Sequence, residues 1–259
     1  MDDIYEVYAI RYATRASTRA ATFLDADPHD GPMGMDYFIW ALRKGNRTIV
    51  VDTGFDKAVG ERRGRTFLRC PVETLRDIGI QPEEVSDVIL THLHNDHAGN
   101  LDKFPAAQFH LQDAEMAFAT GRYMRHACCG RAYEFDHMVG ALRLNYTGRI
   151  EFHEGMDEIA DGVTVHPAGG HTAGLQFVRV RTRGGWFILA SDASHYYENF
   201  QRNNPFRLVF NVGKTLDGYR AMRRLAGSED KIIPGHDPQV MERFPAVSPE
   251  LEGIAVRLD

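Results

Sequence analysis

The sequence predicts an α/β fold in which two central sheets are covered by helices. Three observations carry that reading: apolar, β-rich runs bounded by turn residues recur along the chain, helical periods are interspersed among them without strict alternation, and one stretch reads as a hairpin. In chain order, strands are expected at IYEVYAI (4–10), YFIWALRKG (37–45), TIVVDTG (48–54), VSDVIL (85–90), AQFHLQ (107–112), VTVHPAG (163–169) and KIIPGH (231–236). The hairpin is LQFVRVRTRGGWFILASD (175–192), where Val178 and Val180 alternate with Arg179 and Arg181 and Gly184–Gly185 can supply the positive φ of a tight turn. Helical periods occur in PVETLRDIGI (71–80), DAEMAFATG (113–121) and KTLDGYRAMRRLAG (214–227). In the last of these, Leu216, Tyr219, Met222 and Leu225 form one stripe opposite Arg220 and Arg224.

A chain of 259 residues, 43% hydrophobic and 25% charged, can bury a sizeable core. No tract marks a boundary, so residues 1–259 are read as a single domain, with 121–150 as a helical insertion. The formal charge of −6 leaves no basic surplus for a phosphate backbone. Nucleic acid is therefore not expected as a partner, and a small-molecule substrate is. No apolar run approaches the roughly 20 residues of a membrane span, and the N-terminus MDDIYEVYAIRYATR lacks the apolar core of a signal peptide. A cytoplasmic location away from membranes is expected. Cys70, Cys128 and Cys129 are an odd set without C-x-x-C spacing and are expected to be reduced thiols.

The chemistry is concentrated in THLHNDHAGN (91–100), which places His92, His94, Asp96 and His97 within six positions directly after a strand. In extended backbone, residues two apart share a face, so His92 and His94 can reach one ion while Asp96 and His97, past a turn, reach a neighbour. Further ligands are sought on other strand ends. His171 in PAGGHTAG, Asp192 at the end of WFILASD and His236 at the end of KIIPGH each follow a strand. Any one alone would more often be a structural hydrogen-bonding residue; their shared position, in a chain that carries the histidine cluster, favours ligation.

This pattern resembles the metallo-β-lactamase superfamily from TIVVDTGFD to PGHD. The resemblance implies an αββα sandwich with a dinuclear site at one edge: His92, His94 and His171 on the first divalent ion, Asp96, His97 and His236 on the second, and Asp192 bridging. VVDTG, with Asp52, looks like the family's supporting motif. The ions are expected to be Zn2+, although such ligands also suit Mn, Fe or Co. A bridging hydroxide would then be the nucleophile, since bound zinc lowers the pKa of water from about 15.7 to about 7. Asp96, His195 and Tyr196 are the expected catalytic residues.

Within the superfamily, the histidine at position 94 disfavours the redox di-iron branch, which carries Glu there. Nuclease branches bring an extra domain and a basic groove, and thioesterases of the glyoxalase II type a helical C-terminal domain. ILASDASHYYENF, a following helix and IIPGHDPQ, with the mid-chain insertion, resemble the N-acyl homoserine lactone lactonases, which silence bacterial quorum signals. An acyl lactone needs an apolar wall, for which Met33, Met35, Phe67, Tyr133, Phe135 and Met138 are the candidates. Hydrolysis of another lactone, an ester or a β-lactam on the same site is the alternative reading, and a non-catalytic metal-binding protein a more distant one. The chain departs from the lactonases in one respect. They carry Tyr three positions after the bridging Asp, and here His195 stands there, followed by Tyr196. Either His195 takes over its hydrogen bond to the substrate, or Tyr196 does, or the metals act alone.

Overall fold

A computed structural model describes residues 4–27 and 29–259; residues 1–3 of the charged N-terminal stretch lie outside the described residues. The larger sheet contains β1 (Glu6–Thr18), β2 (Pro32–Lys44), β3 (Arg47–Val51), β4 (Thr66–Phe67), β5 (Asp87–Ile89), β6 (Gln108–Gln112), β7 (Ile150–His153) and, from the far end of the chain, β13 (Ala255–Arg257). Its order is β13-β1-β2-β3-β5-β6-β7, with β4 paired to β1. Pairing is antiparallel as far as β3 and parallel from β3 to β7. The smaller sheet is made of β8 (Asp157–Ala160), β9 (Val163–Pro167), β10 (Gln176–Thr182), β11 (Gly185–Ser191) and β12 (Ile232–Pro234), in the order β12-β11-β10-β9-β8. Only its β11–β12 pair is parallel. Both sheets are therefore mixed, as expected. The strand directions bring the carboxyl ends of β3, β5, β9, β11 and β12 to one edge, the usual place for a site in sheets of this kind.

Alternation along the strands builds two cores. Tyr8, Ile10, Tyr37, Ile39 and Ala41 face the helices that cover the larger sheet. Their neighbours Val7, Ala9, Phe38, Trp40 and Leu42 pack with Val163, Val165, Val178, Val180 and Ile188 of the smaller sheet. The helix Val212–Ala226 buries Tyr219 and Met222, packs Leu216 and Leu225 at the margin, and leaves Arg220 and Arg224 in solvent, as its sequence stripe implies. The hairpin forms with Thr182 opposite Gly185, so its turn is Arg183–Gly184, and of the two glycines only Gly185 has positive φ. Strands β4, β7, β8 and β13 were not expected; two to four residues are too few for a period to register. The segment after residue 121 holds short helices at Arg122–Arg125 and Ala127–Gly130 and a longer one at Phe135–Tyr146. No helix among the described residues is long and apolar enough to cross a membrane, and all three cysteines are free.

Two buried polar side chains tie these layers together at the functional edge. Gln176 on β10 donates to the Leu90 carbonyl at 2.9 Å, while its backbone N–H reaches the Thr91 carbonyl at 2.9 Å. Glu115, in the first turn of the helix Asp113–Ala119, is fully buried. It accepts hydrogen bonds from Leu93 N–H (3.1 Å), Tyr133 Oη (3.0 Å), Thr172 Oγ1 (2.6 Å) and Gly174 N–H (3.2 Å). One carboxylate thus binds the His92–His97 loop, the His171 loop and the 121–150 segment. Position 174 must be glycine for this, because a Cβ there would run into the Glu115 backbone. Burial raises the Glu115 pKa, and the four donors oppose the shift. Exposed ion pairs such as Arg76–Glu73 are worth at most about 1 kcal/mol each, whereas orphaning a buried donor costs about 1–3 kcal/mol. Glu115, rather than the surface pairs, therefore fixes the loops. Glu115→Ala is expected to lower unfolding stability by about 3 kcal/mol or more, and Glu115→Gln by about 1–2 kcal/mol, because either amide orientation sets its NH2 against one backbone N–H. Urea midpoints within error of the unsubstituted protein for both variants would contradict this.

Candidate metal centre

Each expected metal ligand sits just past a strand at the common edge. His92, His94, Asp96 and His97 follow β5, His171 follows β9, Asp192 directly follows β11, and His236 follows β12. Asp52 and Ser191 close β3 and β11 with φ of 61° and 45°, the left-handed region that residues with a side chain rarely enter. The ends of β11 and β12 approach so closely that a Cβ on Gly235 would lie 2.6 Å from the Ser191 carbonyl oxygen.

The seven expected ligands do come together, around Asp192. Its Oδ2 lies 3.1 Å from His171 Nε2 and 3.7 Å from His92 Nε2; its Oδ1 lies 3.2 Å from His97 Nε2 and 2.9 Å from His236 Nε2. His94 Nδ1 is 2.9 Å from His171 Nε2. Asp96 Oδ2 stands 3.7 Å from His97 Nε2 and 3.8 Å from His236 Nε2. Two donor sets result, His92–His94–His171–Asp192 and Asp96–His97–His236, with the donor atoms of each within 4.8 Å of one another.

The outward nitrogens show what turns the inward ones toward the cluster. His97 Nδ1 is held by the Asp52 carboxylate at 2.7 Å, His171 Nδ1 by the Leu208 carbonyl at 2.7 Å and His236 Nδ1 by the Asp36 carbonyl at 2.7 Å. Each such bond fixes the tautomer that leaves Nε2 as a lone-pair donor. Asp52 also accepts from Thr91 N–H (2.8 Å) and Thr91 Oγ1 (2.8 Å), which locks the strand end itself. His92 Nε2 and His97 Nε2 are buried without a hydrogen-bond partner. Tetrahedral ligands at about 2.0–2.1 Å from zinc would stand about 3.3 Å apart, and the measured separations of 2.9–3.7 Å bracket that value. On donor chemistry, spacing and orphaned nitrogens, the residues fit divalent ions.

Burial pulls His92 and His94 well below the usual imidazole range, with neighbouring imidazoles adding to the effect. Burial would also lower His97, but Asp192, Asp52 and Asp96 raise it well above the ordinary value. Desolvation opposes ionisation of Asp192, yet His195, His97, His236 and His171 hold its carboxyl well below the usual range. Carboxylates thus stay charged where cations would sit.

A cavity of about 520 Å³ opens over this cluster, with His94, Asp96, His171, Asp192, His195 and His236 in its lining. His195 Nε2 lies 3.1 Å from Asp192 Oδ2, and its ring stacks on Phe206 at 3.6 Å. With Asp192 and His236 it forms a third possible donor set. Tyr196 does not line the cavity: its hydroxyl donates to the Gly34 carbonyl at 3.0 Å and its ring packs on Phe23.

The expected apolar wall is mostly not there. Of its six candidates only Met35 lines the cavity. Tyr133 stands behind His94, ring edge to ring at 4.6 Å, with its hydroxyl committed to Glu115. Met33 and Phe67 pack against the core from half-buried positions, Met138 lies within that core, and Phe135 is 79% exposed. Periodicity could not distinguish apolar groups that seat a helix from those that line a void. Arginines occupy much of the wall instead, a feature composition concealed because they come from four separate segments.

The sequence matches the metallo-beta-lactamase superfamily over residues 33–236. It is 28% identical over 234 residues to an N-acyl homoserine lactonase of a Bacillus species, an alignment covering 83% of this chain and 87% of that protein. It is 30% identical over 233 residues to N-acyl homoserine lactonase AiiB of Rhizobium rhizogenes strain K84, covering 80% of each. In fold, it is similar to the crystal structure of a quorum-quenching N-acyl homoserine lactone lactonase, with a TM-score of 0.80 at 23% identity over 95% of this chain and 98% of the other.

Elemental analysis of purified, metal-supplemented protein is expected to find about two divalent ions per chain. At most one ion after incubation with excess metal would rule out the two-ion arrangement. A ligand present at about 100 times its Kd stabilises by about 2.7 kcal/mol, so chelation is expected to lower Tm by roughly 5–10 °C at about 2–4 °C per kcal/mol.

Proposed function

We propose that this chain, which belongs to the metallo-beta-lactamase superfamily, is a metal-dependent hydrolase that opens the ring of N-acyl homoserine lactones. The observation that carries the proposal is the meeting of two donor sets at Asp192 on the floor of an open cavity. The relatives named as lactonases support the choice of substrate. In this reading His92, His94 and His171 hold one ion, Asp96, His97 and His236 the other, and Asp192 serves both. We assign zinc as the occupant. Bound there, the ions supply Lewis acidity and a water that ionises near neutral pH.

The chain's own residues do the rest. Asp52 orients His97, and the Leu208 and Asp36 carbonyls orient His171 and His236, so the donors are preorganised before substrate arrives. Ring opening adds the oxygen of water to the acyl carbon and breaks the bond from that carbon to the ring oxygen. One proton goes to the departing alkoxide, and the hydroxy acid that results ionises to solvent. His195, braced on Phe206 beside Asp192, is placed to hydrogen-bond the oxygen on which charge develops. Burial pushes its imidazole down to about 3 against the pull of Asp192. It therefore acts as a neutral N–H donor rather than as an acid that titrates during turnover. Tyr196, turned to the Gly34 carbonyl, takes no part.

Mass spectrometry of acyl homoserine lactones incubated with metal-loaded protein is expected to show addition of one water with the amide intact. Esters or β-lactams turned over far faster than every lactone would leave a metallohydrolase of another substrate class. His195→Ala is expected to reduce kcat by about ten- to a thousand-fold, with ion content unchanged. Loss of an ion from that variant would make His195 a ligand instead. Tyr196→Phe is expected to keep near-full turnover and to lose about 1 kcal/mol of stability with its hydrogen bond to the Gly34 carbonyl.

A further inference from the structure

Five arginines stand around the cavity, Arg15, Arg63, Arg65, Arg131 and Arg207, in a chain whose formal charge is −6. Arg63 has a structural task, reaching Glu134 at 2.9 Å and the carbonyls of Arg131 and Tyr133 at 2.9 and 2.8 Å. The other four make no ion pair among the described residues. Arg131 and Arg207 are exposed at the mouth, and Arg15 and Arg65 are half-buried.

The inner pair is unusual in its placement. β4 pairs with β1 through Ala13–Phe67 and Thr14–Thr66, and the same register carried one residue further sets Arg65 opposite Arg15. On its other side Arg15 faces Met35 of β2. Met35, Arg15 and Arg65 therefore stand abreast, and all three line the cavity. Like charges directly opposite across antiparallel strands destabilise a sheet, and no carboxylate among the described residues forms an ion pair with either. The Nε atoms of both arginines are buried without a hydrogen-bond partner. Arg65 Nη1 is spent on the Arg63 carbonyl at 2.6 Å, so its Nη2, together with the fork of Arg15 held beside it against the cavity, is left to match the oxygens of a carboxylate or phosphate.

Tyr37 sets the distance to the reacting centre. The Arg65 guanidinium lies 5.6 Å from the centre of the Tyr37 ring, and that ring meets the His236 imidazole edge-on at 5.1 Å. An anion held by the arginines is thus separated from the metal cluster by one aromatic ring.

We propose that the cavity selects a lactone or ester bearing an anionic oxygen group, a carboxylate or a phosphate, a few bonds from the hydrolysed carbonyl, and that Arg15 and Arg65 bind that group. This rests on the hydrolase reading above and narrows its substrate from a neutral acyl chain to an anionic one. Arg131 and Arg207 at the mouth draw such substrates in against the net negative charge of the molecule.

The test uses metal-loaded protein and matched substrates that differ only in a remote charge. One pair is N-glutaryl-homoserine lactone and its neutral terminal carboxamide; another is the 4-nitrophenyl monoester of adipic acid and its carboxamide. A third substrate, the 4-nitrophenyl ester of 4-phosphonobutyric acid, distinguishes phosphate-like from carboxylate recognition. The anionic member of each pair is expected to have a kcat/KM about tenfold or more above the neutral one, as charge-assisted contacts warrant. Arg15→Gln and Arg65→Gln should each bring that ratio below about threefold, the scale of a screened surface charge. Arg15→Lys, which keeps the charge and guards against a folding defect, should retain more of it. A ratio at or below one in the ester pair overturns the proposal. So does a ratio unaffected by either Gln substitution, which would place the anion at the metal cluster. Anion preference among the esters with neither lactone hydrolysed would remove the homoserine lactone reading and leave the anion site standing.

Discussion

The rest of this structure depends on one buried carboxylate. Asp192 has five imidazoles within 2.9–3.7 Å, contributed by His92, His97, His171, His195 and His236. A carboxylate withdrawn from water needs compensating positive charge, and five crowded imidazoles cannot all supply it by protonation. Divalent ions resolve both difficulties at once. The sheets converge their strand ends on that point, and the left-handed backbone at Asp52 and Ser191 shows that the convergence is held against local conformational preference.

The same segments shape the donor cluster and the cavity above it. The Leu208 carbonyl that orients His171 lies beside Phe206, which braces His195, and Arg207, which stands at the mouth. Glu115 fastens the His92–His97 loop to the 121–150 segment, which contributes Arg131 and Ala132 to the wall. Metal geometry and cavity shape are consequently not independent across most of the site.

The convergence of His and Asp side chains was legible in the sequence because it needs particular residue types at particular strand ends, and both are one-dimensional features. Four candidate donors crowd one loop, and three more sit where apolar runs stop; the structure brings all seven together. The two-sheet architecture could be read for a similar reason, since alternation along β1 and β2 sorts Tyr8 and Ile10 from Val7 and Ala9 onto opposite faces. What could not be read depends on relations between distant segments. Glu115 looks like an ordinary acid in the first turn of a helix, and only the arrival of Leu93, Tyr133, Thr172 and Gly174 makes it a brace. The arginine wall is invisible until β4, itself only two residues long, lies down beside β1. The apolar residues of the 121–150 segment misled because packing and lining use the same residue types.

The position of Arg65 beside a two-residue strand has a consequence for divergence within this fold. β4 pairs with β1 and carries none of the groups that orient a ligating histidine. Substitution there can reshape the cavity wall while the His and Asp cluster is left unchanged. Drift in the segment fastened by Glu115 has no such freedom, because its wall and the histidine loop share one anchor. Paralogues on this scaffold should therefore part company in diet first along the β1–β4 margin.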